Sequence, residues 1–393
     1  MAPLAILVRR ALTPRDEIAG AVVLVEAEKI VAVGRVDEVE IPASARLYER
    51  RDLTVVPGFI DVHIHGTGGH DVMDASAEAL AAITAGAARR GTTSLVATTV
   101  TASEESTCDA VNAVTTWMRR GTRESAARAP VAEILGVHFE GPFIARARRG
   151  VHPSEWIVPP SIPLFERFLA AAKGAARILT LAPELPGAVE LIAEAREAGV
   201  IVSLGHTDAS YAEAMAAISR GARHAAHVFN AMRPFAHRET GVLGAILTSA
   251  SVTAELIADG VHVDDAAIRV LVAAKRPQGV ILVSDATAAT GMPDGKYTLG
   301  TVEFTVAGGV SRNSEGKLAG STLTLDRALR HMLDLGIPLR DVLPMLTFNP
   351  ARLLGVEGRK GVLAPGADAD LLFLDDQLEV AGVMTRGIGL NPT

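Results

Sequence analysis

The sequence predicts an α/β protein: a (β/α)8 TIM-like barrel carrying a small β-sandwich domain formed by both chain ends. Three observations lead there. Apolar strand-like runs alternate with amphipathic helical stretches through the middle of the chain; both ends are strand-rich without helical periodicity; and the central runs repeatedly stop at histidine, glutamate or aspartate.

Residues 1–56 carry short apolar runs at 4–8, 21–25, 30–33, 46–48 and 53–56, broken by charged and turn-forming residues. The tail from about 358 reads similarly, with a turn-rich approach from Gly361 to Gly366 and a strand at 369–374 that closes on Asp375 and Asp376. The two ends, 1–56 and 357–393, are therefore expected to meet in one β domain, leaving 57–356 for the barrel. Barrel strands are expected at 59–65, 93–98, 132–139, 178–181, 200–206, 224–229, 251–257 and 280–285. Helices are expected at 76–90, 104–119, 164–172, 188–198, 211–220, 264–274 and 322–335. Such barrels usually need ~250 residues before insertions. The stretch near 295–320 reads as an inserted β-hairpin with arms at 296–306 and 309–318.

With 49% hydrophobic and 21% charged residues in 393, the chain has an ordinary supply of core. A net charge of −7, with no basic cluster longer than Arg146, Arg148 and Arg149, argues against a nucleic-acid surface. The single cysteine, Cys108, cannot make an intrachain disulfide and reads as a small helix-face residue. No segment reaches the ~20 apolar residues of a membrane span, and residues 1–10 lack the order of a signal peptide. A cytoplasmic protein without a membrane partner is expected.

In a βα barrel the reactive groups sit at the C-terminal ends of the strands, where the βα loops form the open face. His63 and His65 stand two apart on the first strand, so both point to the same side. Glu140 ends the third strand, His206 the fifth, His227 the sixth and Asp285 the eighth. Any one histidine on an apolar strand is more often a hydrogen-bonded core residue. Their shared position at strand ends points instead to a metal hydrolase, with His63, His65, Glu140, His206 and His227 as ligands and Asp285 handling protons. Imidazole and carboxylate donors at this density suit Zn, Fe, Mn or a similar divalent ion, and Glu140 is available to bridge two of them. His152 and His262 lie in loops after strands three and seven that reach the open face, whereas His138, His70 and His224 read as structural and His331 as a surface residue.

The segments Pro57-Gly-Phe-Ile-Asp-Val-His-Ile-His-Gly66, His138-Phe-Glu-Gly-Pro-Phe143, Leu204-Gly-His-Thr-Asp-Ala209, His227-Val-Phe-Asn-Ala-Met232, Ala258-Asp-Gly-Val-His262, Leu318-Ala-Gly-Ser321 and Thr347-Phe-Asn-Pro-Ala351 together resemble the amidohydrolase superfamily and, within it, the N-acetylglucosamine-6-phosphate deacetylase family. The first segment identifies only the superfamily; the Glu-Gly-Pro and Asn-Ala-Met segments discriminate further. The resemblance implies that Glu140, His206 and His227 hold a metal and that Asp285 is the catalytic acid/base. It also implies that His152, Asn230, Ala231, Arg238 and His262, with Leu318, Ala319 and Gly320, contact an amino-sugar phosphate. Some members lack the His-x-His pair and use one ion; here His63 and His65 are kept, so one or two ions per subunit are expected. A homodimer is implied too, with the partner contributing to the phosphate pocket. The related alternative is a deacetylase of another sugar phosphate such as N-acetylgalactosamine 6-phosphate. A non-catalytic binding barrel would have lost a ligand or the acid/base, and none of the six is lost.

Overall fold

In the computed structural model the described residues are 2–13, 16–125 and 129–390, the side chains of 120–125 excepted. Eight parallel strands pair in chain order: Phe59–Ile64, Thr92–Thr99, Glu133–Glu140, Ala176–Leu181, Ile201–Leu204, His224–Ala225, Thr253–Leu256 and Val280–Leu282. Closure comes just past the eighth strand. There Asp285 N donates to the His63 carbonyl and His65 N to the Ala286 carbonyl, each at 2.9 Å. Strands such as Thr92–Thr99 are rich in β-branched residues and buried throughout, as a sheet covered by helices requires.

The first, fifth, sixth and eighth strands are shorter than expected, whereas the third, which bears Glu140, keeps its expected length. The sixth is only His224–Ala225, where 224–229 is expected, and the eighth stops at Leu282 rather than 285. His206, His227 and Asp285 have φ of 47°, 26° and 49°. A residue in this left-handed region cannot continue a ladder, so each side chain sits two or three residues past its strand, where the backbone turns.

The expected helices are present, for example Tyr211–Arg220, whose Ser210 and Glu213 form a reciprocal N-terminal cap. Three helices fall outside the expected set: Leu339–Leu346, Phe348–Leu353 and, between the sixth and seventh strands, Gly241–Thr248. The sequence of the last, GVLGAILT, is apolar nearly all round and six of its residues are buried, so no amphipathic stripe marks it. The insertion is a correction too: it is a three-stranded antiparallel sheet, Gly295–Leu299, Val302–Ala307 and Val310–Asn313. The first expected arm is itself folded at Gly300, whose φ of 55° permits the tight reversal.

The two ends meet in one six-stranded sheet ordered Val380–Met384, Leu371–Leu374, Arg46–Pro57, Leu4–Leu12, Glu17–Glu26, Lys29–Arg35. Apolar layers cover both its faces, one around Ile6, Val55 and Phe373, the other around Ala5, Leu7 and Val22. The expected sandwich is thus one sheet between two apolar layers. Its strand Arg46–Pro57 runs through Gly58 directly into the first barrel strand. A Cβ at Gly58 would lie 2.1 Å from Thr93 Oγ1, so only glycine fits that passage.

Candidate metal centre

Glu140, at the tip of the third strand, is the hub of the open end. Its Oε1 lies 2.8 Å from His227 Nε2, 3.2 Å from His206 Nε2 and 3.3 Å from His63 Nε2. Its Oε2 lies 3.3 Å from both His65 Nε2 and His152 Nε2. Asp285 Oδ1 faces His65 Nε2 at 3.3 Å and His63 Nε2 at 3.7 Å. All seven residues are buried.

The far side of each ring decides which nitrogen carries the proton. His63 Nδ1 faces Glu255 Oε2 at 2.8 Å, His65 Nδ1 the Thr98 carbonyl at 3.2 Å, and His206 Nδ1 the Arg148 carbonyl at 2.9 Å. These partners only accept, so in the neutral ring each Nδ1 is the donor and each Nε2 presents a lone pair to the carboxylates. His63 Nε2 and His227 Nδ1 have no hydrogen-bond partner. His206 Nε2 and His227 Nε2 are only 3.1 Å apart, both against Glu140 Oε1, and one proton cannot satisfy that convergence. Lone pairs and carboxylates directed at one space fit a cation. In four overlapping sets (His63, Glu140, His227; His63, His65, Asp285; His63, His138, Glu255; Glu140, His152, His206) the potential ligand atoms lie within 4.8 Å of one another.

The electrostatics agree. Burial opposes charging of His63 and His65, yet Glu255 and Glu140 draw His63 well above the usual imidazole range, and Asp285 and Glu140 raise His65 to about 9. Burial pushes His206 down to about 4, despite Glu140, so it stays a neutral donor. Burial also opposes ionisation of Glu140 and Asp285, but the surrounding imidazoles hold both below the ordinary carboxylate values. The site demands positive charge, and among the described residues no lysine or arginine pairs with either carboxylate.

The cluster opens into a cavity of about 260 Å³. His152, Asn230, Ala231 and His262 line it, as do Leu318 and Gly320 from the segment after the inserted sheet. His152 has the opposite tautomer to the ligand histidines: its Nδ1 accepts from Thr101 N, leaving Nε2–H toward Glu140. His262 is oriented by Asp259 at 2.7 Å. Ala319 is fully buried, and Arg238 is exposed on the loop after the sixth strand; neither lines the cavity. The arginine-rich loop is tethered rather than loose. Arg146 donates to the Ser154 and Ile157 carbonyls, Arg148 to Asp208, and Arg149 to the His152 carbonyl and Glu315. Two residues escaped the sequence reading: Lys317, the one lysine or arginine on the described cavity wall, and Glu255, fully buried behind His63. A lone glutamate inside the apolar strand TAEL was the available signal for Glu255. His138, expected to be structural, is held by Thr180 Oγ1 and the Val62 carbonyl.

Comparison with known proteins agrees with this architecture. The Bacillus subtilis N-acetylglucosamine-6-phosphate deacetylase is 38% identical over 347 residues, covering 88% of this chain and 87% of that protein. The N-acetylgalactosamine-6-phosphate deacetylase of Escherichia coli O157:H7 is 36% identical over 358 residues, 91% and 93% of the two chains. Among solved structures, a mutant N-acetyl-D-glucosamine-6-phosphate deacetylase from Mycobacterium smegmatis, in complex with N-acetyl-D-glucosamine-6-phosphate, superposes with a TM-score of 0.91 at 35% identity, covering 99% of each chain. The amidohydrolase family itself is matched over residues 54–388, from the last strand before the barrel almost to the end of the described chain, and the protein belongs to that family.

Proposed function

We propose that the protein is a metal-dependent deacetylase that hydrolyses the acetamide of N-acetyl-D-glucosamine 6-phosphate to D-glucosamine 6-phosphate and acetate. The carrying observation is the convergence of imidazole lone pairs and two carboxylates at the floor of a monosaccharide-sized cavity. The names of the relatives supply the substrate class. Glu140, His206 and His227 would hold one ion, and His63 and His65 a second that shares Glu140. A divalent ion there supplies a polarised carbonyl and water acidified to a pKa of ~7.

Asp285 is anionic at neutral pH because His65 and His63 outweigh its burial. It therefore accepts the proton of the attacking water and delivers it to the departing nitrogen. His152 lines the cavity with its Nε2–H toward Glu140; with an ion neutralising Glu140, that N–H can turn to the oxygen that becomes negative during attack, a donor whose loss typically costs ~3–4 kcal/mol. Asn230, Ala231 and His262 line the sugar's path. Arg238 has the planar fork suited to phosphate. Its exposed position favours delivery to the pocket of a partner subunit in a cytoplasmic homodimer.

Acetate release from N-acetylated glucosamine and galactosamine, each with and without 6-phosphate, tests the proposal. The glucosamine 6-phosphate derivative is expected to turn over fastest. Absence of any preference for phosphorylated sugars removes the assignment. A preference for the galactosamine epimer selects the second reading, which the Escherichia coli relative supports.

A further inference from the structure

Glu255 lies mid-strand on the seventh barrel strand, where Ala254 and Leu256 are its apolar neighbours. It is 0% exposed. Both its oxygens are used. Oε2 accepts from His63 Nδ1 at 2.8 Å and from the backbone N–H of His227 at 3.0 Å, and Oε1 faces His224 Nε2 at 2.8 Å. His224 is fixed in turn by Thr253 Oγ1 at 2.7 Å. Among the described residues no lysine or arginine pairs with Glu255, so its charge is answered by histidines alone.

Its two Oε2 partners belong to different halves of the centre. On the two-ion reading above, His63 stands with His65 and Asp285 and His227 with Glu140 and His206, while His63 and His227 meet at Glu140 Oε1. The contact to His63 fixes the ring so that Nε2, which has no hydrogen-bond partner, faces Glu140. The contact to His227 holds a backbone with φ of 26°, which a side-chain-bearing residue keeps only when its surroundings impose it. A carboxylate kept for packing alone is badly placed here: an apolar residue of similar volume fills a buried strand position without the desolvation penalty.

We propose that Glu255 is a positioning residue that orients one histidine from each metal subsite, tying the two ligand sets to one carboxylate. The inference rests on the metal-centre reading above. It predicts that Glu255 governs metal affinity while touching neither metal nor substrate, and that loosening it affects both subsites together.

The test uses the full chain stripped of metal and titrated with Zn²⁺ against a chromophoric chelator, with thermal unfolding of the metal-free protein in parallel. Glu255→Gln keeps the shape and removes the charge. It is expected to bind Zn²⁺ ~10–100-fold more weakly at both sites, the range for lost partners of ligand residues, with little change in metal-free unfolding temperature. His224→Asn, which disturbs the same strand pair but leaves Glu255 on His63 and His227, is expected to bind Zn²⁺ nearly as the wild type does. Wild-type affinity in Glu255→Gln overturns the proposal, as does an equal loss in His224→Asn, which would mean general loosening. If the glutamine variant does not fold, Glu255→Asp keeps the charge and shortens its reach; unchanged Zn²⁺ affinity there overturns the proposal equally. A wild-type protein that binds no Zn²⁺ rejects the metal-centre reading itself, a result separable from a failure confined to the Glu255 variants.

Discussion

The third barrel strand begins at Glu133 and ends at Glu140, and its two carboxylates are neutralised in opposite ways. At the Glu133 end, Glu133, Asp368 and Asp370 meet Lys29, Arg359, Lys360 and, at 4.0 Å, Arg386: three carboxylates against four permanent cations. Lys360 Nζ is 2.6 Å from Glu133, 2.9 Å from Asp368 and 2.5 Å from Asp370, and its side chain is 1% exposed. That end is closed electrostatically and joins the barrel to the six-stranded sheet. At the Glu140 end the same kind of buried anion faces only imidazoles, which can give up their protons. Permanent cations make a joint; titratable ones leave room for an ion and for chemistry.

Four measurements break or sharpen this contrast. Asp285→Asn should cut acetate release by ~10²–10⁴-fold, the usual worth of a positioned acid/base, with metal content unchanged; full activity would remove Asp285 from its proposed role. Lys360→Met should lower stability by ~3–5 kcal/mol, because it leaves carboxylates buried without their partner. Turnover by the protein that remains folded should be unaffected. Glu140→Gln should show the reverse pattern: metal is lost, while the metal-free protein unfolds closer to wild type, since imidazoles shed protons when their carboxylate disappears. Equal destabilisation by the two would erase the contrast.

The third measurement is the pH dependence of stability after metal removal. His65 has a folded pKa of about 9 and His63 one well above 6.5, so both are raised over the unfolded value. The folded state then binds the extra protons. Their stabilisation is complete below pH ~6.5 and declines as pH climbs toward 9. Between pH 6.5 and 8, before Lys275 titrates at about 8, the metal-free protein should lose stability while the metal-loaded protein stays nearly flat. A flat metal-free curve contradicts the charge pattern. The smallest effect belongs to Arg359→Ala. With its side chain 39% exposed, solvent screens the pair, and ~1 kcal/mol or less is expected in thermal unfolding.

The same contrast explains what the sequence disclosed. His63, His65, Glu140, His206, His227 and Asp285 were legible because each polar residue interrupts or ends an apolar run, a signal carried locally along the chain. Glu255 interrupts an apolar strand in the same way, but what it does depends on His63, 192 positions away, and no local signal carries that. The Glu133–Lys360 junction was equally silent, because its members read as ordinary charges until folding brings residues 226 apart in sequence into contact. Strand lengths were overestimated at the site because a left-handed φ at His227 or Asp285 leaves no compositional trace. The parallel alternation and the strand-rich ends, by contrast, are repeated patterns, and the fold follows from them.

The six-stranded sheet has a consequence for the order in which the chain is made. Arg46–Pro57 pairs on one side with Leu4–Leu12, which is synthesised early, and on the other with Leu371–Leu374, which emerges after the whole barrel. Until then Thr54 to Pro57 presents an apolar strand edge, the kind that recruits other chains. Whatever the barrel has achieved by that moment, the nascent protein remains open to mispairing until Leu371–Leu374 leaves the ribosome.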